Sequence, residues 1–387
     1  MNIVDPILFQ SKLNPDGIAI CTPGAAMEWI TYSGLERMMN NIGRTAVSFG
    51  LVRGNVVAIH VKEKITHAAV ILGLMRLGIV VLPIRTTKLP NELGVHAVIT
   101  DSPSLVFENA GRVITADPTW VTGDGRLIAN KQIDQFADND TCLVVLTSDV
   151  ISEAKGVAFT HSNLLGHLAR YAYVNGNQFA FSPRLYCDLS ITTSHGVRFM
   201  LCMLSNGGTI YFFGDSPESI VQAFDLYKIN NMVVTPNGLA EYAKFFDAHR
   251  MFQCGFDHIV SLGGPLPRSL SERTRARMTA KLFCGYGTTE TGTVALGQAH
   301  MIANTDGAVG FITPGAFVEI VDDADQVLAA GKEGFVRIRS KESVTEYVAN
   351  PKESAKVFRD GWFYPGDIGC LTMDGMLIIK GNKSALE

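Results

Sequence analysis

The chain has 387 residues and carries 33 basic against 37 acidic side chains, a formal charge of −4 at pH 7. That length calls for two or three subdomains, and the near balance of charge leaves no basic footprint for nucleic acid or an anionic membrane surface. Apolar residues make up 47% and charged residues 18%, the balance of a well-buried globular protein; the seven scattered cysteines, with no C-x-x-C pair, suit a reduced cytoplasmic compartment.

The opening Met1-Asn2-Ile3-Val4-Asp5-Pro6 lacks the basic and apolar regions of a signal peptide. Asn55–His60 reads as a buried strand, Thr66–Leu77 as a helix closed by Gly78, and Ile79–Leu82 as the next strand. The apolar run Ala68–Ile84 is broken by Arg76, glycines and Pro83, so it is a core helix and strand and not a membrane span. Short strands follow at Ala97–Thr100, Thr141–Thr147, Thr209–Phe213, Met232–Thr235, His258–Leu262 and Lys281–Phe283. Strands alternating with helices imply mostly parallel sheets covered on both faces. After about Gly297 the texture changes to short strands at Phe317–Val321, Gly334–Arg339, Ile368–Met373 and Met376–Lys380. The turn Met373-Asp374-Gly375 predicts a hairpin, and with it an antiparallel β subdomain.

Four segments carry chemistry. Tyr286-Gly287-Thr288-Thr289-Glu290 follows Lys281-Leu282-Phe283-Cys284-Gly285. Its glycines permit close backbone approach to a ligand, and its hydroxyls and carboxylate suit phosphate oxygens and Mg²⁺. Ser261-Leu262-Gly263-Gly264-Pro265 is a strand running into a turn that leaves the backbone bare for a flat group. Thr147-Ser148-Asp149-Val150-Ile151-Ser152-Glu153-Ala154-Lys155-Gly156 joins a strand to the His161-Ser162-Asn163-Leu164 helix start. Trp362-Phe363-Tyr364-Pro365-Gly366-Asp367 ends in a Gly-Asp pair that reads equally well as a β-turn.

In that order the four segments resemble the adenylate-forming superfamily: acyl- and aryl-CoA synthetases, amino-acid adenylation domains and firefly-type luciferases. The resemblance runs from about Asp16 to Lys383. It implies an α/β fold of two stacked αβαβα subdomains, residues 1–175 and 176–300, plus the antiparallel β subdomain of residues 301–387. It further implies that Thr147, Ser148, Thr288 and Thr289 contact nucleotide phosphates. Gly263, Gly264 and Pro265 would face Tyr286 and Gly287 across the adenine. Asp367 would accept the ribose hydroxyls, Glu290 would hold Mg²⁺, and Lys155 would stand near the leaving pyrophosphate. Thr289, Glu290 and Lys155 are thus the expected catalytic residues.

The expected reaction joins a small carboxylic acid to ATP as an acyl-adenylate and passes the acyl group to CoA. Alternatives are an amino-acid module feeding a carrier protein and a relative that binds without turnover. Asp188, His195, Gly264 and Gly285 are the expected substrate contacts; Asp188 is also a candidate helix cap. Two departures stand out. Asp149, Val150, Ile151 and Ser152 replace the family's Gly, Thr, Thr and Gly, and Asn382 stands where the family has a hinge arginine. The chain stops soon after Lys383, where a family member continues into a lid domain, so the lid is expected to be absent here.

Overall fold

In the computed structural model the described residues are 1–126, 137–147, 154–174, 183–213, 217–248 and 255–382. Contacts divide the chain into two compact units. The first comprises Met1–Pro183, Ser190–Phe212 and Tyr347–Pro351; the second comprises Arg184–Leu189, Phe213–Glu346 and Lys352–Glu387.

The first unit is built on a seven-stranded sheet. Its centre runs parallel through Thr141–Leu146, Val80–Pro83, Val56–His60, Val95–Thr100 and Arg112–Thr115. These runs are rich in Val and Ile because both faces of a parallel sheet are covered. Ala58 and Leu82, paired in register, are wholly buried. The helix Lys64–Arg76 crosses between two of these strands, and Glu63 caps it with both carboxylate oxygens, accepting from Ile65 N at 3.0 Å and Thr66 N at 2.6 Å. Its Gly73 abuts the helix Tyr32–Ser48, where an added Cβ would stand 3.0 Å from Met39 O. Gly156–Thr160 turns back antiparallel on Thr141–Leu146, and Tyr347–Val348 adds to its free edge.

The second unit changes character along one continuous sheet. Arg184–Cys187, Asn231–Val234, His258–Ser261 and Leu282–Thr288 run parallel. From Leu282–Thr288 onward the pairing is antiparallel, through Gly292–Gln298, Ala308–Ile312, Met376–Asn382 and Asp367–Leu371 to Gly334–Ser340. The switch therefore falls one strand earlier than Gly297. A three-residue turn, Thr289–Thr291, separates the two strands, and so short a link joins only antiparallel neighbours. The hairpin expected at Met373-Asp374-Gly375 joins Asp367–Leu371 to Met376–Asn382, with Gly375 at φ +82°. The antiparallel half closes over a core of Val294, Val318, Ile320, Val336, Ile338 and Leu377.

The mixed α/β class and its parallel and antiparallel sheets match the sequence expectation. Six cysteines lie among the described residues, all buried and none in a disulfide. Among those residues no helix is long and apolar enough to cross a membrane.

Candidate active site

The second unit holds a cavity of about 620 Å³. Gly263, Gly264 and Pro265 form one wall, and Gly285, Tyr286 and Gly287 form another; Asp367 and Lys380 line it as well. Three segments far apart in sequence are thus brought to one place by the order of strands. Gly263 has φ +87°, a left-handed conformation that glycine adopts without strain.

Gly287 is needed for a different reason from the one its sequence context suggests. It lies inside the strand Leu282–Thr288, where an added Cβ would come within 2.0 Å of Gly292 O. Its role is close approach of paired strands, at the register shift between Tyr286 and Gly287. Gly285 is likewise hemmed in, 2.5 Å from Leu262 Cδ2 by the same measure.

Asp367 is held from two sides. The Tyr286 hydroxyl donates to Oδ2 at 2.5 Å, and Asn382 Nδ2 donates to Oδ1 at 2.9 Å. Burial first, and then the neighbouring Asp367 carboxylate, push the Tyr286 phenol far above its ordinary range, so it stays a donor. Lys380 supplies a cation to the cavity wall, 3.9 Å from Glu333.

The rest of the motif sits in the hairpin turn. The Thr291 hydroxyl donates to Gly292 O at 3.1 Å, and Thr291 N donates to the Thr288 hydroxyl at 3.3 Å. Thr288 Oγ1 is 3.1 Å from Thr291 Oγ1, so its hydroxyl proton is engaged in closing the turn. Thr289 is half-buried beside it. Glu290 is only 6% exposed, and its carbonyl accepts from Val344 N at 3.0 Å. No group of three or more His, Cys, Asp or Glu side chains fit to hold a metal occurs among the described residues. The Glu290 carboxylate is an oxygen ligand of the kind that suits Mg²⁺, an ion that substrate phosphates and water would complete.

The expected loop residues belong to the first unit. Thr147 N donates to Lys155 O at 3.1 Å, and Lys155 N donates to Thr147 Oγ1 at 3.3 Å, which closes the base of the loop. Lys155 Nζ rests 5.1 Å from the centre of the Tyr347 ring. Ser148, Asp149, Val150, Ile151, Ser152 and Glu153 lie outside the described residues, as does Lys383. Asn163 and Thr160 cap the following helix reciprocally, Asn163 N donating to Thr160 Oγ1 at 3.0 Å and Thr160 N to Asn163 Oδ1 at 3.0 Å.

Asp188 and His195 fall in different units. Asp188 does not cap the next helix; Thr193 does, accepting from Gly196 N at 3.2 Å. Asp188 is exposed and accepts from the Tyr186 hydroxyl at 2.9 Å, which is in turn 2.7 Å from the Tyr242 hydroxyl. Its carboxylate also overlies the start of the helix Pro236–Ala248, since a Cβ on Gly238 would meet Asp188 Oδ2 at 2.5 Å. A helix N-terminus favours that negative charge. His195 is held down to about 3 by burial and then by Arg198, which keeps its imidazole neutral.

Sequence reasoning missed part of the site, Lys380 included. Ala299 and Ile302, on a short helix after the hairpin, line the cavity. The anchoring of Asp367 by Asn382 was invisible without the strand register that sets them opposite each other.

The family model described as AMP-binding enzyme matches residues 9–348. The long-chain-fatty-acid–CoA ligase FadD13 of Mycobacterium tuberculosis is 24% identical over 384 residues, covering 91% of this chain and 73% of the ligase. The inhibitor-bound N-terminal domain of FACL13 from Mycobacterium tuberculosis superposes with a TM-score of 0.87 at 20% identity, covering 98% of this chain and 99% of that one. O-succinylbenzoate coenzyme A synthetase from Bacillus subtilis, in complex with AMP, superposes with a TM-score of 0.84 at 18% identity, covering 98% and 78%. At these identities the structural likenesses speak to the fold.

Proposed function

Because this chain belongs to the AMP-binding enzyme family, we propose that it activates a carboxylic acid with ATP, releasing pyrophosphate, and passes the acyl group from the adenylate to CoA. The observation that carries this reading is the cavity in which Tyr286 and Asp367 meet the Gly263-Gly264-Pro265 turn. The bare backbone of that turn and the Tyr286 ring offer two walls for a flat base. Asp367, oriented by two donors, accepts the ribose hydroxyls. That arrangement fixes the nucleoside, so that the α-phosphate is presented to the substrate carboxylate in one orientation.

The chemical difficulty is bringing one anion to another. Thr289 offers a hydroxyl to phosphate oxygens, while Thr288 keeps the turn in shape. Lys155 contributes a cation that favours departure of pyrophosphate. Glu290 would hold Mg²⁺, which when bound neutralises charge developing on the phosphates.

Relatives named for long-chain fatty acids and for ferulate mark the two acid classes to try first. Asp188 favours a second reading: its exposed carboxylate suits the ammonium group of an amino acid, whose acceptor would be a carrier protein. Pyrophosphate exchange with fatty, aryl and amino acids, followed by mass spectrometry of CoA thioesters, tests both readings. Acid-dependent exchange with thioester formation is the expected result. Exchange confined to amino acids, without thioester, moves the assignment to the second reading; no exchange with any acid overturns both.

A further inference from the structure

Asp367 opens the strand Asp367–Leu371, and Asn382 closes the strand Met376–Asn382 that pairs with it. The two residues are register partners, so their side chains meet across the ladder. Asn382 Nδ2 donates to Asp367 Oδ1 at 2.9 Å, and the Tyr286 hydroxyl takes Oδ2. Gly366, at φ +85°, precedes the carboxylate; a Cβ there would stand 3.5 Å from Asn382 Nδ2. Its left-handed backbone is one that glycine adopts without strain.

The chemistry of this pair is specific. An ionised carboxylate has about four acceptor positions, two on each oxygen. One on each oxygen is taken by a protein donor, which leaves one on each for a ligand. Two acceptors at the fixed spacing of a carboxylate match two neighbouring hydroxyls. The amide is neutral, so it orients Asp367 without cancelling the charge that strengthens those bonds.

We propose that Asn382 is a positioning residue that sets Asp367 to receive the 2′,3′-diol of a ribonucleotide. This rests on the reading of the cavity as a nucleotide site. Asn382 acts through Asp367 and needs no contact with the nucleotide itself. Its removal therefore weakens diol recognition and leaves base and phosphate contacts unchanged.

The test is calorimetric titration of AMP and 2′,3′-dideoxy-AMP into the full chain and into Asn382→Ala and Asn382→Leu; the Leu variant keeps the size of the side chain. Losing one hydrogen bond to a charged group should weaken AMP binding about tenfold in both variants. Dideoxy-AMP should bind all three proteins within about twofold of one another. Equal losses for the two nucleotides, or no loss for AMP, overturn the assignment while leaving the nucleotide site standing. Failure of the unaltered chain to bind AMP overturns the nucleotide reading and this assignment with it.

Discussion

Two hydroxyl-rich segments dominate the sequence reading, and the structure builds them by opposite means. Tyr286-Gly287-Thr288 lies within a strand, paired with Gly292–Gln298, and the Tyr286 and Thr288 side chains are each tied to a neighbour. Thr147 and Lys155 stand at the mouth of a hairpin loop, held by two backbone-mediated bonds and the face of Tyr347. The first arrangement fixes position, because paired backbone leaves few degrees of freedom. The second places a long flexible cation at the end of a loop. On the proposed function, precise recognition of base and ribose belongs to the first, and charge delivery to the second. Disturbing the strand should therefore cost stability or affinity, and disturbing the loop base should cost rate.

The largest effect should come from the strand itself. Gly287→Ala forces a Cβ against Gly292 O and should destabilise the second unit by more than about 3 kcal/mol in denaturant unfolding. Gly264→Ala, whose Cβ would meet nothing closer than 3.5 Å, should stay within about 0.5 kcal/mol. Equal effects would mean that the strand packing is not the constraint.

Asp367→Ala comes next. With the ribose bonds lost, AMP should bind about 30- to 100-fold more weakly by calorimetry, and ATP should follow in parallel.

Glu290→Gln and Lys155→Ala should each lower adenylate formation about tenfold or more, with AMP affinity within about twofold. A matching loss of AMP affinity would place Lys155 in recognition and erase the contrast drawn between the two segments.

At neutral pH the smallest effect concerns one neutral imidazole of the first unit, which counts only as pH falls. His195 has a folded value of about 3 against an ordinary 6.5, so folding favours its neutral form. The unfolded chain takes up the proton first as pH falls. That stabilisation is whole above pH 6.5 and is lost progressively as pH falls toward 3. His195→Gln should flatten the fall in stability across that window, as measured by chemical denaturation at several pH values.

Much of this architecture was readable before any coordinates. The core strand Asn55–His60 and the helix Thr66–Leu77 were expected from apolar patterning and a glycine stop, and they appear as Val56–His60 and Lys64–Arg76. Local pattern suffices there because burial on all sides leaves one solution. Gly287 was harder: glycine signals a turn locally, and only the neighbouring strand shows that it serves close packing. The engagement of Thr288 with Thr291 and of Asn382 with Asp367 depends on register across hairpins. Composition carries no record of register. The split of Asp188 and His195 between units depends on which contacts dominate over a short stretch, again beyond local pattern.

The most direct test of the account is a crystal structure of the chain with AMP. The account predicts the base between the Gly263-Gly264-Pro265 turn and Tyr286, with both ribose hydroxyls bonded to Asp367 and the Asn382 amide still on Oδ1. AMP bound elsewhere, or a ribose turned away from Asp367, would contradict it.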